Sequence, residues 1–138
     1  MRRLPDWERR FSQWLASIEK EPHVYGAHDC MVGIAAGDVR ALTGEDFGES
    51  HRRKYASRAT GAKYLRSLGF KSVTAMLDAH FPRVAPAKAR RGDLVRSKAG
   101  AIGVCIGDRA AFIGKDGERE GLVTLRRAQW AQAWRVGD

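Results

Sequence analysis

Two cysteines, Cys30 and Cys105, are too few to staple a chain of 138 residues, and no Cys/His pairs stand at zinc-site spacing. Neither a disulfide framework nor a structural metal site is expected, no cofactor motif is present, and a reducing compartment is the default origin. Long apolar runs are also missing: nothing approaches the roughly 20 residues that a membrane-spanning helix needs. The N-terminus, Met1-Arg2-Arg3-Leu4-Pro5-Asp6-Trp7, is basic but is not followed by a uniform apolar stretch, so no cleavable secretory signal is expected. Internal repeats, low-complexity tracts and linkers are absent, and the length suits one core. A single domain over residues 1–138 follows.

Acidic residues are the remaining scarcity. Sixteen Asp and Glu stand against 25 Lys and Arg, 18 of them Arg, for a formal charge of +9. Short basic clusters at Arg2-Arg3, Arg9-Arg10, Arg52-Arg53-Lys54, Arg90-Arg91 and Arg126-Arg127 suit an anionic partner: nucleic acid, a cell-wall polymer or an acidic protein surface. The plainer reading is arginine-biased usage on solvated faces. The clusters are scattered and none lies on a recognition helix, so nucleic acid is the least supported of the three.

Helices precede strands. Trp7, Phe11, Trp14, Leu15 and Ile18 recur at helical spacing after Pro5 and predict a helix over residues 5–20, stopped by Pro22. Trp7 and Trp14 read as core or interface aromatics and not as a ligand cage. A second helix over residues 29–42 buries Met31, Ile34, Ala35, Val39 and Leu42, with Asp29 as N-cap and Gly44 just past its end. Residues 45–58 read as a long polar loop, and shorter helices are expected over 60–68 and 72–80. Beyond Pro82 come short apolar runs between glycine-bearing turns, read as antiparallel strands over 93–96, 101–106, 109–113 and 122–125. A helical turn and a last strand over 133–136 close the chain. The fold class is α+β, with N-terminal helices packed on a small C-terminal antiparallel sheet.

Within this layout Cys30 is the candidate nucleophile. It stands where the Tyr25-Gly26-Ala27 loop runs into a helix, and a cysteine in a first helical turn feels the positive end of the dipole, which favours thiolate. The alternative is a small buried apolar residue. Cys105, inside an apolar run, reads as core. A base must accompany a cysteine nucleophile. His28, two residues away, is a weak candidate, since local geometry points such neighbours apart; otherwise it is a loop histidine packed beside the helix. His51 in the polar loop is weaker still, His80 reads as a charge at a helix C-terminus, and His23 has no assigned role. Asp29 reads as an N-cap and Asp93 as a strand-start residue.

The run Tyr25-Gly26-Ala27-His28-Asp29-Cys30 resembles the nucleophile motif of NlpC-type, papain-like cysteine peptidases, in which a tyrosine and a glycine precede Asp-Cys at a helix start. Arg91-Gly92-Asp93-Leu94-Val95 resembles that family's Gly-Asp-Leu strand opening. Ala101-Ile102-Gly103-Val104-Cys105-Ile106-Gly107 resembles the strand after it. With the terminal Ala133-Trp134-Arg135-Val136, the pattern is also similar to small phage and prophage tail proteins of that superfamily, over residues 7–136. The resemblance implies a papain-like, NlpC-type fold, Cys30 as nucleophile and Tyr25 as a supporting hydroxyl. It also places the catalytic histidine at Ala101 and its orienting partner near Ile113. Neither side chain can take or orient a proton.

The expected function is therefore a structural or assembly protein of a phage-type tail, at its tip or hub, on a peptidase fold with a degenerate site. Its partners would be other tail proteins of the particle, and it would be made in the bacterial cytoplasm. A working peptidoglycan-cleaving peptidase or amidase using Cys30 is the alternative, with a basic nucleic-acid-binding module the second.

Overall fold

In a computed structural model that describes residues 1–137, four α-helices come first and a six-stranded antiparallel sheet follows. Helix α1 spans Trp7–Ile18 and buries Phe11 and Ile18, while Trp7, Trp14 and Leu15 pack partly buried beside them. The loop after it is pinched by an antiparallel bridge between Val24 and His28. The helix expected over residues 29–42 is two pieces: a π-helical turn, Cys30–Ala35, runs directly into α2, Ala36–Thr43. Gly44, with φ +82°, closes α2 in the left-handed conformation, as a glycine past a helix end should.

The polar stretch 45–58 is a chain of turns that ends at Ser57, whose side chain forms a capping box with Thr60 at the start of α3, Arg58–Ser67. Ser72 caps α4, Val73–His80. Met31, Val32, Leu65 and Met76 form a small core that fastens α3 and α4 to the π-helical turn.

Strands are β1 Arg83–Val84, β2 Leu94–Ser97, β3 Ile102–Cys105, β4 Arg109–Asp116, β5 Arg119–Arg126 and β6 Trp130–Trp134, in spatial order β1-β6-β2-β3-β4-β5. Period-two alternation divides their side chains between two cores. Leu94, Ile102, Val104, Ala111 and Trp134 meet Phe11, Ile34, Val39 and Leu42 from the helices. Val95, Cys105, Ala110, Phe112, Trp130 and Ala133 form the other cluster. Cys105 is fully buried, in agreement with its reading as core. The largest differences from the sequence expectation lie in the sheet. The two-residue β1 was not anticipated, the β4–β5 hairpin extends beyond its apolar centre, and β6 begins at Trp130 and not at 133.

Two buried carboxyls lie under this framework. Asp93, 0% exposed, accepts hydrogen bonds from Arg3 Nη2 (3.0 Å), Arg135 Nε (2.9 Å) and the backbone amides of Arg90 (2.9 Å) and Val136 (3.2 Å). It is a junction between the N-terminal arm, the start of β2 and the end of β6. Asp38, in the first turn of α2, is also 0% exposed, yet neither of its oxygens has a partner among the described residues. Burial pushes its carboxyl well above the usual range, partly opposed by nearby Arg3 and reinforced by Asp93.

Candidate functional site around Cys30

Gly26 adopts φ +78°, and a Cβ on it would collide with the Tyr55 carbonyl oxygen. Glycine is thus required for the loop to pass beneath the 45–58 segment and deliver Asp29. Asp29 then organises the site. Its Oδ1 accepts from the amides of Met31 (3.1 Å) and Val32 (2.8 Å), which is the N-cap role read from sequence. Its Oδ2 accepts from the Gly26 amide (2.9 Å) and from the Tyr55 hydroxyl (2.5 Å). Burial, followed by this last bond, raises the Tyr55 phenol far above its ordinary value, so it stays a donor. No sequence signal marked Tyr55, because its partner lies 26 residues back across an irregular loop.

Cys30 keeps part of its surface open to a cleft, and its Sγ accepts a long hydrogen bond, 3.5 Å, from the Ile102 amide at the start of β3. Burial pushes the thiol pKa up, and the Asp29 charge adds to the rise, while the Ile102 amide pulls the other way and loses. This direction runs against the thiolate expected from the helix dipole. The residues after Cys30 wind as a π-helical turn, and the cost of burying the charge exceeds what the backbone returns.

His28, His51 and His80 do not converge on this sulfur. His28 is 7% exposed, with Nδ1 at 3.8 Å from Glu21 Oε2 and Nε2 buried without a partner among the described residues. It lines a different concavity, beside Trp14, Gly33 and Gly37, that does not include Cys30. Burial lowers its pKa. His51 bonds through Nδ1 to the Tyr64 hydroxyl (2.7 Å), and the Tyr64 ring stacks on Tyr55 with centroids 5.7 Å apart. Two side chains therefore separate His51 from Asp29. His80 Nδ1 lies 2.8 Å from the Met76 carbonyl in the last turn of α4. His23, with no assigned role in the sequence reading, does line the Cys30 cleft, at an exposed position and edge-on to Tyr25 at 4.5 Å. Tyr25 lines it too and is 40% exposed.

Ala101 packs with the cluster on the sheet face away from the helices, whereas Ile102 joins the helix-side core. Ile113 packs partly buried against that same helix-side core. What β3 presents to the thiol is a backbone amide and an aliphatic side chain. Among the described residues, no three His, Cys, Asp or Glu side chains gather as a metal site, and no helix is long and apolar enough to cross a membrane.

The cleft itself has a volume of about 500 Å³. Cys30, Met31, Leu65 and Ile102 supply its apolar floor, and Arg58, Lys71 and Arg96 stand around it. These features define an α+β domain in which a capped, helix-start cysteine sits in a cationic cleft against a sheet. Over residues 2–136 the sequence matches the family described as Domain of unknown function (DUF6950), and the chain belongs to that family. Among curated proteins, none matches it.

Proposed function

We propose that this protein is a structural or assembly component of a phage-type tail, at the tip or hub, built on an NlpC-type, papain-like fold without peptidase chemistry. One observation carries the loss of chemistry: the Cys30 thiol is raised by burial and faces the Ile102 amide, while the neighbouring His28 belongs to another concavity. A cysteine nucleophile works as its thiolate beside a base, and both the burial of the thiol and the separation of His28 speak against that chemistry. The tail assignment draws on the order of the Tyr25–Cys30, Gly92–Val95 and Ala101–Gly107 motifs. Its partners are other proteins of the particle. Proteomics of purified particles from a producing strain tests it: the protein is expected at a fixed copy number, unchanged by Cys30→Ala. Absence from the particles removes the assignment.

The second reading, a peptidoglycan-cleaving peptidase or amidase, draws on His23 and Tyr25 lining the Cys30 cleft. In that reading His23 takes the thiol proton, the thiolate attacks a peptide carbonyl, and the leaving amine departs with the proton. Water then hydrolyses the thioester, with the Cys30 amide helping to hold the oxyanion. Release of peptides from purified muropeptides by the wild type, abolished in Cys30→Ala, would establish it.

A further inference from the structure

We infer that the Cys30 cleft is a docking site for an extended acidic peptide segment that carries apolar side chains between its carboxylates. This rests on the reading of the cleft as a place of binding and not of turnover, and it names the partner's chemistry.

Three cations line one concavity, each from a different part of the chain: Arg58 from the first turn of α3, Lys71 from just before the Ser72 cap of α4, and Arg96 from β2. None is ion-paired among the described residues, although Arg3, Arg9, Arg52, Arg83 and Arg135 all are. The one acid lining the cleft, Asp29, is 4% exposed and already accepts four hydrogen bonds. Positive charge at the cleft therefore exceeds the single buried carboxylate, and a complementary partner gains attraction without displacing an existing ion pair.

The floor narrows the choice of anion. Cys30, Tyr55 and Val73, partly exposed, offer apolar surface within the cleft, over the buried Met31, Leu65 and Ile102. A volume of about 500 Å³ lies in the range of a small-ligand or side-chain pocket and is far too confined for a duplex. Single-stranded nucleic acid binds through successive free aromatic faces. Here Tyr55 is already stacked on Tyr64, and Tyr25 is engaged edge-on by His23. A peptide that alternates carboxylate and aliphatic side chains matches both the rim and the floor.

The test is fluorescence anisotropy of the full chain with a labelled peptide alternating glutamate and leucine. A labelled single-stranded oligonucleotide serves as the competing class. Saturable peptide binding is expected. It should weaken about tenfold or more when Arg58→Glu, Lys71→Glu and Arg96→Glu are combined, and remain within about twofold in a charge-matched variant away from the cleft, Arg2→Glu with Lys20→Glu and Lys115→Glu. A readout free of variants accompanies it: saturating peptide should slow alkylation of Cys30 in the wild type, followed by mass of the modified segment. Lack of saturable binding, equal loss in both triple variants, tighter binding of the oligonucleotide or unprotected Cys30 each overturns the inference. Muropeptide turnover would overturn the non-catalytic reading instead, and the two failures are separately visible.

Discussion

Arg3 Nη2 lies 3.0 Å from Asp93 Oδ1, and both side chains are withdrawn from water, at 5% and 0% exposure. Burial lowers the Arg3 pKa, with Asp93 the leading opposing influence, so each charge depends on the other for its solvation. Arg3 also donates to the Val136 carbonyl (2.8 Å) and the Arg91 carbonyl (2.7 Å), so one guanidinium ties three distant segments together.

Arg3→Met should therefore cost about 3 kcal/mol, because it leaves a buried carboxylate with only Arg135 and backbone amides. Urea unfolding at neutral pH measures this as a fall in midpoint. An unchanged midpoint would mean that Arg135 alone suffices.

Asp38 makes the opposite kind of contribution. Its folded pKa lies above its ordinary value of 3.8, so the folded state holds a proton that the unfolded chain releases. Its favourable share of stability is complete below that ordinary value and is lost as pH rises toward the folded one. Arg3 and Asp93 are the charged groups that bear on it. Asp38→Asn should flatten the fall in stability that the wild type shows as pH rises above the ordinary value of 3.8. Parallel wild-type and variant curves would exclude Asp38 as the source.

Burial lowers the pKa of both His28 and His51, the latter helped by His80. The unfolded chain then binds protons near the ordinary value of 6.5 that the native state resists. Stability is full above that value and falls as pH drops below it. The double variant His28→Gln, His51→Gln should lose most of this acid sensitivity in thermal melts recorded across the window.

Cys30 should alkylate more slowly than a free thiol at neutral pH, since burial holds it as a thiol. Ala101→His should not accelerate it, because position 101 packs with the cluster away from the helix side of the sheet. A rate in Ala101→His matching that of an activated thiol would show that the imidazole reaches the cleft after all.

Tyr55→Phe removes a charge-assisted bond to a carboxylate that also caps the π-helical turn, and should cost about 2 kcal/mol. Hydrogen exchange should show the effect concentrated at the amides of Met31 and Val32.

The α+β segregation, the Asp29 cap, the Gly44 terminus and the burial of Cys105 were all readable, because each rests on local periodicity or a short-range signal. Three things were not. The π-helical turn at Cys30–Ala35 has the same apolar residues an α-helix would bury there, and only its backbone bonding differs, with the Ile34 amide reaching back to the Asp29 carbonyl (2.9 Å). The two-residue β1 is too short for alternation and exists only because β6 pairs with it. At the site, Tyr55 and Arg96 join Cys30 in lining one cleft from a loop and a strand far along the chain, a proximity set by tertiary packing that no spacing encodes. The motif around Cys30 marks Tyr25 and Cys30, which line one cleft, while the direction in which the thiol shifts there depends on solvation, which no motif encodes.

The strand order has a kinetic corollary. The last strand to be made, β6, does not sit at an edge but slots between β1 and β2. Strand β1 has no other neighbour, and Asp93 gains its Val136 amide only when β6 arrives. The sheet therefore cannot zip up in chain order. The β1 edge joins last, through contacts of long sequence separation, and such contacts slow folding. A chain cut short before Trp130 would keep the β2–β5 meander, leave β1 without a partner strand, and strip Asp93 of both Arg135 and the Val136 amide.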